Sequence, residues 1–318
     1  MAFRQHVISS SSSPHSETFF LSPDRDSRST YLHGPGRAIA RYYDECYVDY
    51  RFLWLNTHNL AIHYGYWDAE TRSHSGSLLN MNRVLAEQAG ISPGQVVLDA
   101  GCGLGGSSIW LAERHRVKVF GVTLAESQAR KARKFAKKRG IERLVQFGVA
   151  DYCVTPFASG SFDVVWGLES ICYALDKRAF ISEACRLLRP GGRLIVADGF
   201  ANKIMFNAAE WEAVLAFLDG WAAPNLVTPN QFRSYLEESG FVDIGFTDIT
   251  SNVMPSAKRM YRTAVFTTPI QKALDWMGIR TPAQTRNYHA ALRQIELLEG
   301  GLACYGMFCA MKPPGVEA

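Results

Sequence analysis

The sequence lacks any unbroken run of roughly eighteen apolar residues, so nothing in it reads as a membrane span. It also lacks a C-x-x-C pair. Its seven cysteines (46, 102, 153, 172, 185, 304 and 309) are odd in number and scattered. That excludes a paired-cysteine zinc site and a disulfide framework, and it points to a reducing, cytoplasmic setting. Excess charge is small too. The 34 basic and 30 acidic side chains leave +4, which is too little for a dedicated nucleic-acid binder. There is no internal repeat. What the chain does have is apolar mass. With 47% hydrophobic and 12% aromatic residues over 318 positions, it can bury a large core in one big domain or two modest ones. The first thirty residues are serine-rich, unbroken from Ser9 to Ser13. They read as a disordered tail rather than a transit peptide, because no amphipathic pattern runs through them.

The most informative stretch is Val96-Val-Leu-Asp-Ala-Gly-Cys-Gly-Leu-Gly-Gly106. Strand formers run into Asp99, glycines follow, and an apolar segment then opens a helix. A glycine turn lets backbone approach a ligand closely. It sits at the carboxyl end of a central strand, where open α/β sheets bind cofactors. Gly101, Gly103 and Gly106 satisfy G-x-G-x-x-G, a weak signal by itself. A dinucleotide site also wants an acid about twenty residues on for the ribose. Here the next strand ends in Thr123-Leu124, and the nearest acid, Glu126, falls inside the following helix.

Periodicity predicts strands at 95–100, 117–122, 144–149, 162–167, 192–198 and 241–249. Helices alternate with them at 105–115, 125–139, 177–189 and 229–239, the signature of a mostly parallel sheet covered on both faces. An aromatic-rich helix from near Gly36 to about Trp54 and a second at 77–89 precede the sheet. About fifty residues of helical character, at 257–266, 269–277 and 285–299, delay a closing strand at 303–311. The expected organisation is therefore a tail at 1–30, an N-terminal helical lid at 31–92, a cofactor-binding core at 93–250, a helical cap at 251–300, and a final strand and tail at 301–318. Whether the additions form a lid or merely extend the core stays open.

Leu98-Asp-Ala-Gly-Cys-Gly103, Ala150-Asp151 and Leu187-Leu-Arg-Pro-Gly-Gly192 stand in an order that resembles class I S-adenosylmethionine (SAM)-dependent methyltransferases, over roughly residues 75–250. Thr123-Leu-Ala-Glu-Ser-Gln128 resembles their sterol, prenyl-diphosphate and cyclopropane-synthase-like branch. The resemblance implies a Rossmann-like α/β fold with a seven-stranded, mostly parallel sheet, and it implies SAM as cofactor. Gly101, Gly103 and Gly105 would pass along the methionine and ribose. Asp99 would orient the loop or the ammonium group. Asp151 would accept from the adenine amine, with Tyr152 or Phe157 on the ring. Thr123 stands where the family more often has an acid, and Leu124 and Gln128 would supply contacts instead. Tyr66, in Tyr64-Gly-Tyr-Trp67, would close over the methionine end by cation–π attraction; plain aromatic packing reads equally well.

Glu169 follows the fourth strand among Trp166, Leu168, Ile171 and Tyr173. Apolar neighbours raise a carboxyl's pKa and fit it to act as a base. The resemblance places such a Glu in the active site of C-methyltransferases of isoprenoids, and some O- and N-methyltransferases carry one as well. The favoured reading is C-methylation of an isoprenoid alkene, for instance geranyl diphosphate, through a carbocation. Tyr173, Trp211 and Tyr43 would stabilise the cation and Glu169 would remove the proton. The substrate would be met by Tyr43 and Tyr47, and its anionic end by Arg37, Arg41, His58 and Arg259. Mg2+ is expected only as a bridge to a diphosphate, and no protein metal site is expected. The alternatives are an O- or N-methyltransferase of a small natural product and a SAM-binding protein without turnover. The partner is a small molecule, not nucleic acid, and a homo-oligomer is left open. The basic helix after Glu126, from Arg130 to Arg139, reads as a solvated face.

Overall fold

Val96–Ala100 (β2) is buried over most of its length, as expected of a parallel strand covered on both faces. The computed structural model describes residues 19–20, 34–53 and 59–315. In chain order it contains β1 (Phe19–Phe20), α1 (Pro35–Leu53), α2 (His74–Gln88), β2, α3 (Gly106–His115), β3 (Lys118–Thr123), α4 (Glu126–Arg139), β4 (Val145–Val149) and β5 (Phe162–Leu168). Then come a single 3-10 turn (Ile171–Tyr173), α5 (Lys177–Leu187), β6 (Leu188–Ala201), β7 (Met205–Phe206), α6 (Ala208–Gly220), α7 (Pro229–Glu238), β8 (Val242–Asp248), α8 (Thr250–Trp276), α9 (Pro282–Glu299) and β9 (Ala303–Met311).

Seven strands form one sheet in the order β4-β3-β2-β5-β6-β9-β8. The pairs from β4 to β6 are parallel. Only β9, between β6 and β8, runs against its neighbours. This is the Rossmann-like, mostly parallel seven-stranded architecture that the resemblance implies. The strand order reverses beside β2, so the carboxyl ends of β2 and β5 open a crevice there. Asp99 pairs with Trp166 across those two strands.

Two apolar layers cover the sheet. One packs Leu78, Met81 and Leu85 of α2 and Ile109 and Leu111 of α3 on Val97, Val119 and Val164. The other packs Phe180 and Ile181 of α5 and Phe232 and Leu236 of α7 on Leu98, Val165 and Val196. Over the carboxyl ends, α1, α6 and α8 each pack against α9. Asp49 of α1 is held by Arg280 at 3.0 Å, and Arg280 is almost fully buried. The hydroxyls of Tyr42 and Tyr50 meet at 2.7 Å, and Tyr42 donates to Asn287 Oδ1 at 2.9 Å.

Three elements differ from expectation. The helices expected at 257–266 and 269–277 are one helix, α8, which runs through Pro255 and Pro269. A mid-helix proline removes an N–H and crowds the carbonyl four residues back. Here the hydroxyls of Thr267 and Thr268 bond to the carbonyls of Thr263 and Ala264, within the turn that meets Pro269. Helix α6 was not anticipated. Its N-terminus carries a capping box between Asn207 and Glu210, but it is apolar on most faces and so shows little helical periodicity. Within the span expected to be a disordered tail, Phe19–Phe20 pair antiparallel with Met205–Phe206; the rest of that tail lies outside the described residues.

Candidate functional site

Two cavities meet above the β2–β5 crevice. The first spans about 800 Å³, partly open to solvent, and is lined by the β2–α3 loop, the end of β3, Tyr152, and residues 60–63. In the β2–α3 loop Gly101 has φ +92°, and a Cβ there would collide with the side chain of Ser170. Glycine is thus required for the loop to pack under the residue that follows Glu169. Ser170 in turn donates to the carbonyl of Ala100 at 2.5 Å, tying the β5 turn to β2.

Asp99 lines this cavity, is nearly inaccessible to solvent, and accepts from the Ser108 hydroxyl at 2.5 Å. Burial pushes its carboxyl up to about 6, against the lowering effect of that bond. Thr123 donates to Gln128 Oε1 at 2.7 Å, which fixes the side chain of Gln128 at the cavity wall beside Leu124. Gly103 lines the same wall. Gly105 does not: it caps α3 with φ +82°, and a Cβ there would stand 2.7 Å from the ring of Phe147, so its part is packing beneath the loop. Asp151 is likewise off the lining, its carboxylate accepting the N–H of Cys153 at 2.8 Å, while Tyr152 beside it faces the cavity.

The second cavity is larger, about 1420 Å³, and mostly apolar and aromatic. Tyr43 and Tyr50 of α1, Met260 and Ala264 of α8, Tyr288 of α9, and Phe217 and Trp221 from the end of α6 contribute to its wall. The two cavities share Tyr43, Ile62, His63, Glu169 and Tyr173. Glu169 is therefore at their junction.

Three restraints fix Glu169. Its φ of +46° is a left-handed conformation that non-glycine residues seldom adopt, and it turns the chain out of the sheet at the end of β5. Its N–H donates to the carbonyl of Ala197 at 2.9 Å. Its Oε1 accepts the N–H of Tyr64 at 2.6 Å and the hydroxyl of Tyr305 at 2.8 Å. Burial dominates and pushes its pKa up to about 8, although both hydrogen bonds pull the other way. Beside it, Tyr43 donates to the hydroxyl of Tyr173 at 2.9 Å, and the rings meet edge-on at 5.6 Å. Tyr64 packs edge-on against Tyr305 at 5.7 Å. Asp198 lines the larger cavity and accepts the N–H groups of Cys172 and Gly199, both at 2.8 Å; burial raises its carboxyl as well.

The structure brings Asp99, Gly101, Gly103, Thr123, Leu124, Gln128, Tyr152, Glu169, Tyr173 and Tyr43 together, as the sequence suggests. Arg259 lines the larger cavity. Other expected residues fall elsewhere. Tyr66 lines neither cavity: its backbone is held by Ser77 and Asn80, and in the same aromatic stretch it is Tyr64 that turns inward. Trp211 packs on Phe206 away from the cavity, and Phe217 and Trp221 take the place expected of it. Tyr47 meets the ammonium of Lys131, 3.1 Å from its ring centre, outside both cavities. Arg37 and Arg41 point to solvent, and Arg41 pairs with Glu45. His58 lies outside the described residues. Tyr305, the second holder of Glu169, was missed because β9 is far away in sequence and nothing local to it announces a function.

Residues 98–196 match the family described as Methyltransferase domain. The O-methyltransferase resE of Aspergillus sclerotiorum is 31% identical over 206 residues, which cover 64% of this chain and 77% of that protein. The 2-methyl-6-phytyl-1,4-hydroquinone methyltransferase of Synechocystis is 29% identical over 88% of this chain and 89% of its own. Among solved structures, the geranyl diphosphate C-methyltransferase of Streptomyces coelicolor, in complex with Mg2+, geranyl diphosphate and S-adenosyl-L-homocysteine, superposes with a TM-score of 0.67 at 21% identity, covering 88% of this chain and 98% of that one.

Proposed function

The chain belongs to the SAM-dependent methyltransferases, and from that membership we propose that it methylates a carbon of a lipophilic, isoprenoid-type alkene, with Glu169 as the base. The observation that carries this reading is the place of Glu169: a buried carboxyl at the junction of a cofactor-sized cavity and a large aromatic one. The smaller cavity suits the cofactor. It offers glycine backbone, an apolar edge at Leu124, and two carboxyl groups, Asp99 and Glu169, to a molecule with two cationic centres. When bound, SAM supplies an electrophilic methyl group.

The chain's own part is positioning, dry surroundings and proton transfer. Methylating an alkene carbon leaves positive charge on its neighbour. The faces of Tyr43, Tyr64, Tyr173 and Tyr305 around Glu169 attract such charge. Glu169 then takes the proton whose loss restores the double bond. The apolar walls at Phe217, Trp221 and Met260 would bind the rest of the acceptor.

The acceptor's head group is better served if uncharged. Of the arginines on the larger cavity, Arg280 is committed to Asp49 and reaches Asp275. That leaves Arg259 as the one lining arginine without an ion pair among the described residues. A diphosphate wants several donors or a bridging metal. Neutral prenols and prenylated rings are therefore expected to outrank prenyl diphosphates.

O-methylation of a hydroxyl is the second reading, favoured by the 31% identical relative, an O-methyltransferase. Glu169 would there take the hydroxyl proton. Incubation with labelled SAM and a panel of prenols, prenyl diphosphates, prenylated hydroquinones and phenols separates the two. New carbon-bound methyl on an isoprenoid supports the first reading, and label confined to oxygen overturns it. Glu169→Gln should lower kcat by roughly 10²–10⁴ while SAM still binds; unchanged turnover would remove Glu169 from the chemistry under either reading.

A further inference from the structure

Helix α8 has two faces of different chemistry. Its inner face buries Val253, Ala257 and Ala264 and lines the larger cavity with Met260, Thr263 and Thr267. Its outer face and the turn that follows expose large apolar side chains: Phe266 is 83% exposed and Trp276 88%, and Val265, Ile270, Met277 and Ile279 are exposed with them. Scattered exposed leucines or valines need no explanation, but a contiguous apolar surface does. At 27 residues the helix is about 40 Å long. Arg262 and Lys272 stand on the same exposed side. Over residues 250–280 the basic side chains are Lys258, Arg259, Arg262, Lys272 and Arg280, and the one acid, Asp275, is taken up by Thr285 and Arg280.

We propose that this outer face is a docking surface for a lipid bilayer with acidic head groups, on which α8 lies in the plane of the interface. Aromatic and aliphatic side chains alternating with cations, and no free acid among them, are the composition that binds such a surface. The charge argues against a second copy of the chain as the occupant. A two-fold contact would set Arg262 and Lys272 against the same cations, with no acid on the patch to meet them. The geometry also gives docking a use: the helix that would touch the bilayer forms one wall of the lipophilic cavity, so an acceptor dissolved in the membrane would have a short path to Glu169.

The test is flotation of the full chain with vesicles, either of phosphatidylcholine alone or of phosphatidylcholine and phosphatidylglycerol in equal parts. The protein should float with the acidic vesicles and much less with the neutral ones. The double variant Phe266→Ser with Trp276→Ser should float at least about tenfold less, with its unfolding temperature and SAM affinity unchanged. Arg262→Gln with Lys272→Gln should lose the preference for acidic vesicles. A wild-type chain that stays at the bottom of the gradient with both vesicles overturns the proposal. So does a wild-type dimer that the Phe266 and Trp276 variant dissociates, because the face would then be a self-association surface. Vesicle binding needs no acceptor, so its outcome is separate from that of the transfer assay.

Discussion

Glu169 combines a left-handed backbone, two hydrogen bonds to one carboxylate oxygen, and burial that raises its pKa to about 8. A base must be ionised to act, so the sign of its pH dependence is fixed. Below about 8 the free enzyme holds Glu169 largely protonated, and kcat/KM should rise about tenfold per pH unit toward a plateau above it. The Tyr305 hydroxyl favours the ionised form. Tyr305→Phe should therefore move the acidic limb to higher pH and lower the rate at neutral pH, with less effect at high pH. A limb that stays in place would show that Tyr305 does not tune Glu169. At this scale the sequence was readable where chemistry is local. A glycine turn, a strand-end acid and a carboxyl among apolar neighbours all announce themselves within ten residues. Two misplacements have the same cause. Tyr64 and Tyr66, or Trp211 and Trp221, are equally aromatic, and only the direction in which the backbone presents each ring selects between them.

Among the elements, the 3-10 turn after Glu169 is held from below. Lys177, at the start of α5, is buried and donates to the carbonyls of Cys172, Ala174 and Asn225 and to Asn225 Oδ1. One ammonium thus gathers the turn bearing Tyr173 and the segment between α6 and α7. Lys177→Met would leave those acceptors buried without a donor, at a cost of about 2–4 kcal/mol. Calorimetry should then show a Tm lower by on the order of 5–10 °C. An unchanged Tm would mean that the turn stands without the clamp. The core strands were legible as short, near-continuous apolar runs, which a sheet covered on both faces requires, and the helices through their 3.6-residue apolar spacing. Helix α6 was not, because a helix that is apolar on most faces carries little periodicity. The unbroken α8 was not either, because a proline argues for a stop and only packing against α9 and β9 overrides it.

The whole molecule sets one helical layer over the carboxyl ends of the sheet, and one buried ion pair ties the two ends of that layer. Asp49 is on α1 and Arg280 lies between α8 and α9, more than two hundred residues away. A buried pair of this kind adds little net stability, but removing one partner strands the other charge. Arg280→Met should therefore destabilise the fold by about 3–5 kcal/mol and release α1 in particular. Hydrogen exchange should accelerate over residues 35–53 well before it does in β2 or β5. Because both members of the pair, Asp49 and Arg280, line the larger cavity and neither lines the smaller, the functional loss should be uneven. KM for the acceptor should rise more than the dissociation constant for SAM. Equal losses in both would mean that α1 closes over the cofactor itself, and the division of labour between the two cavities would have to be redrawn.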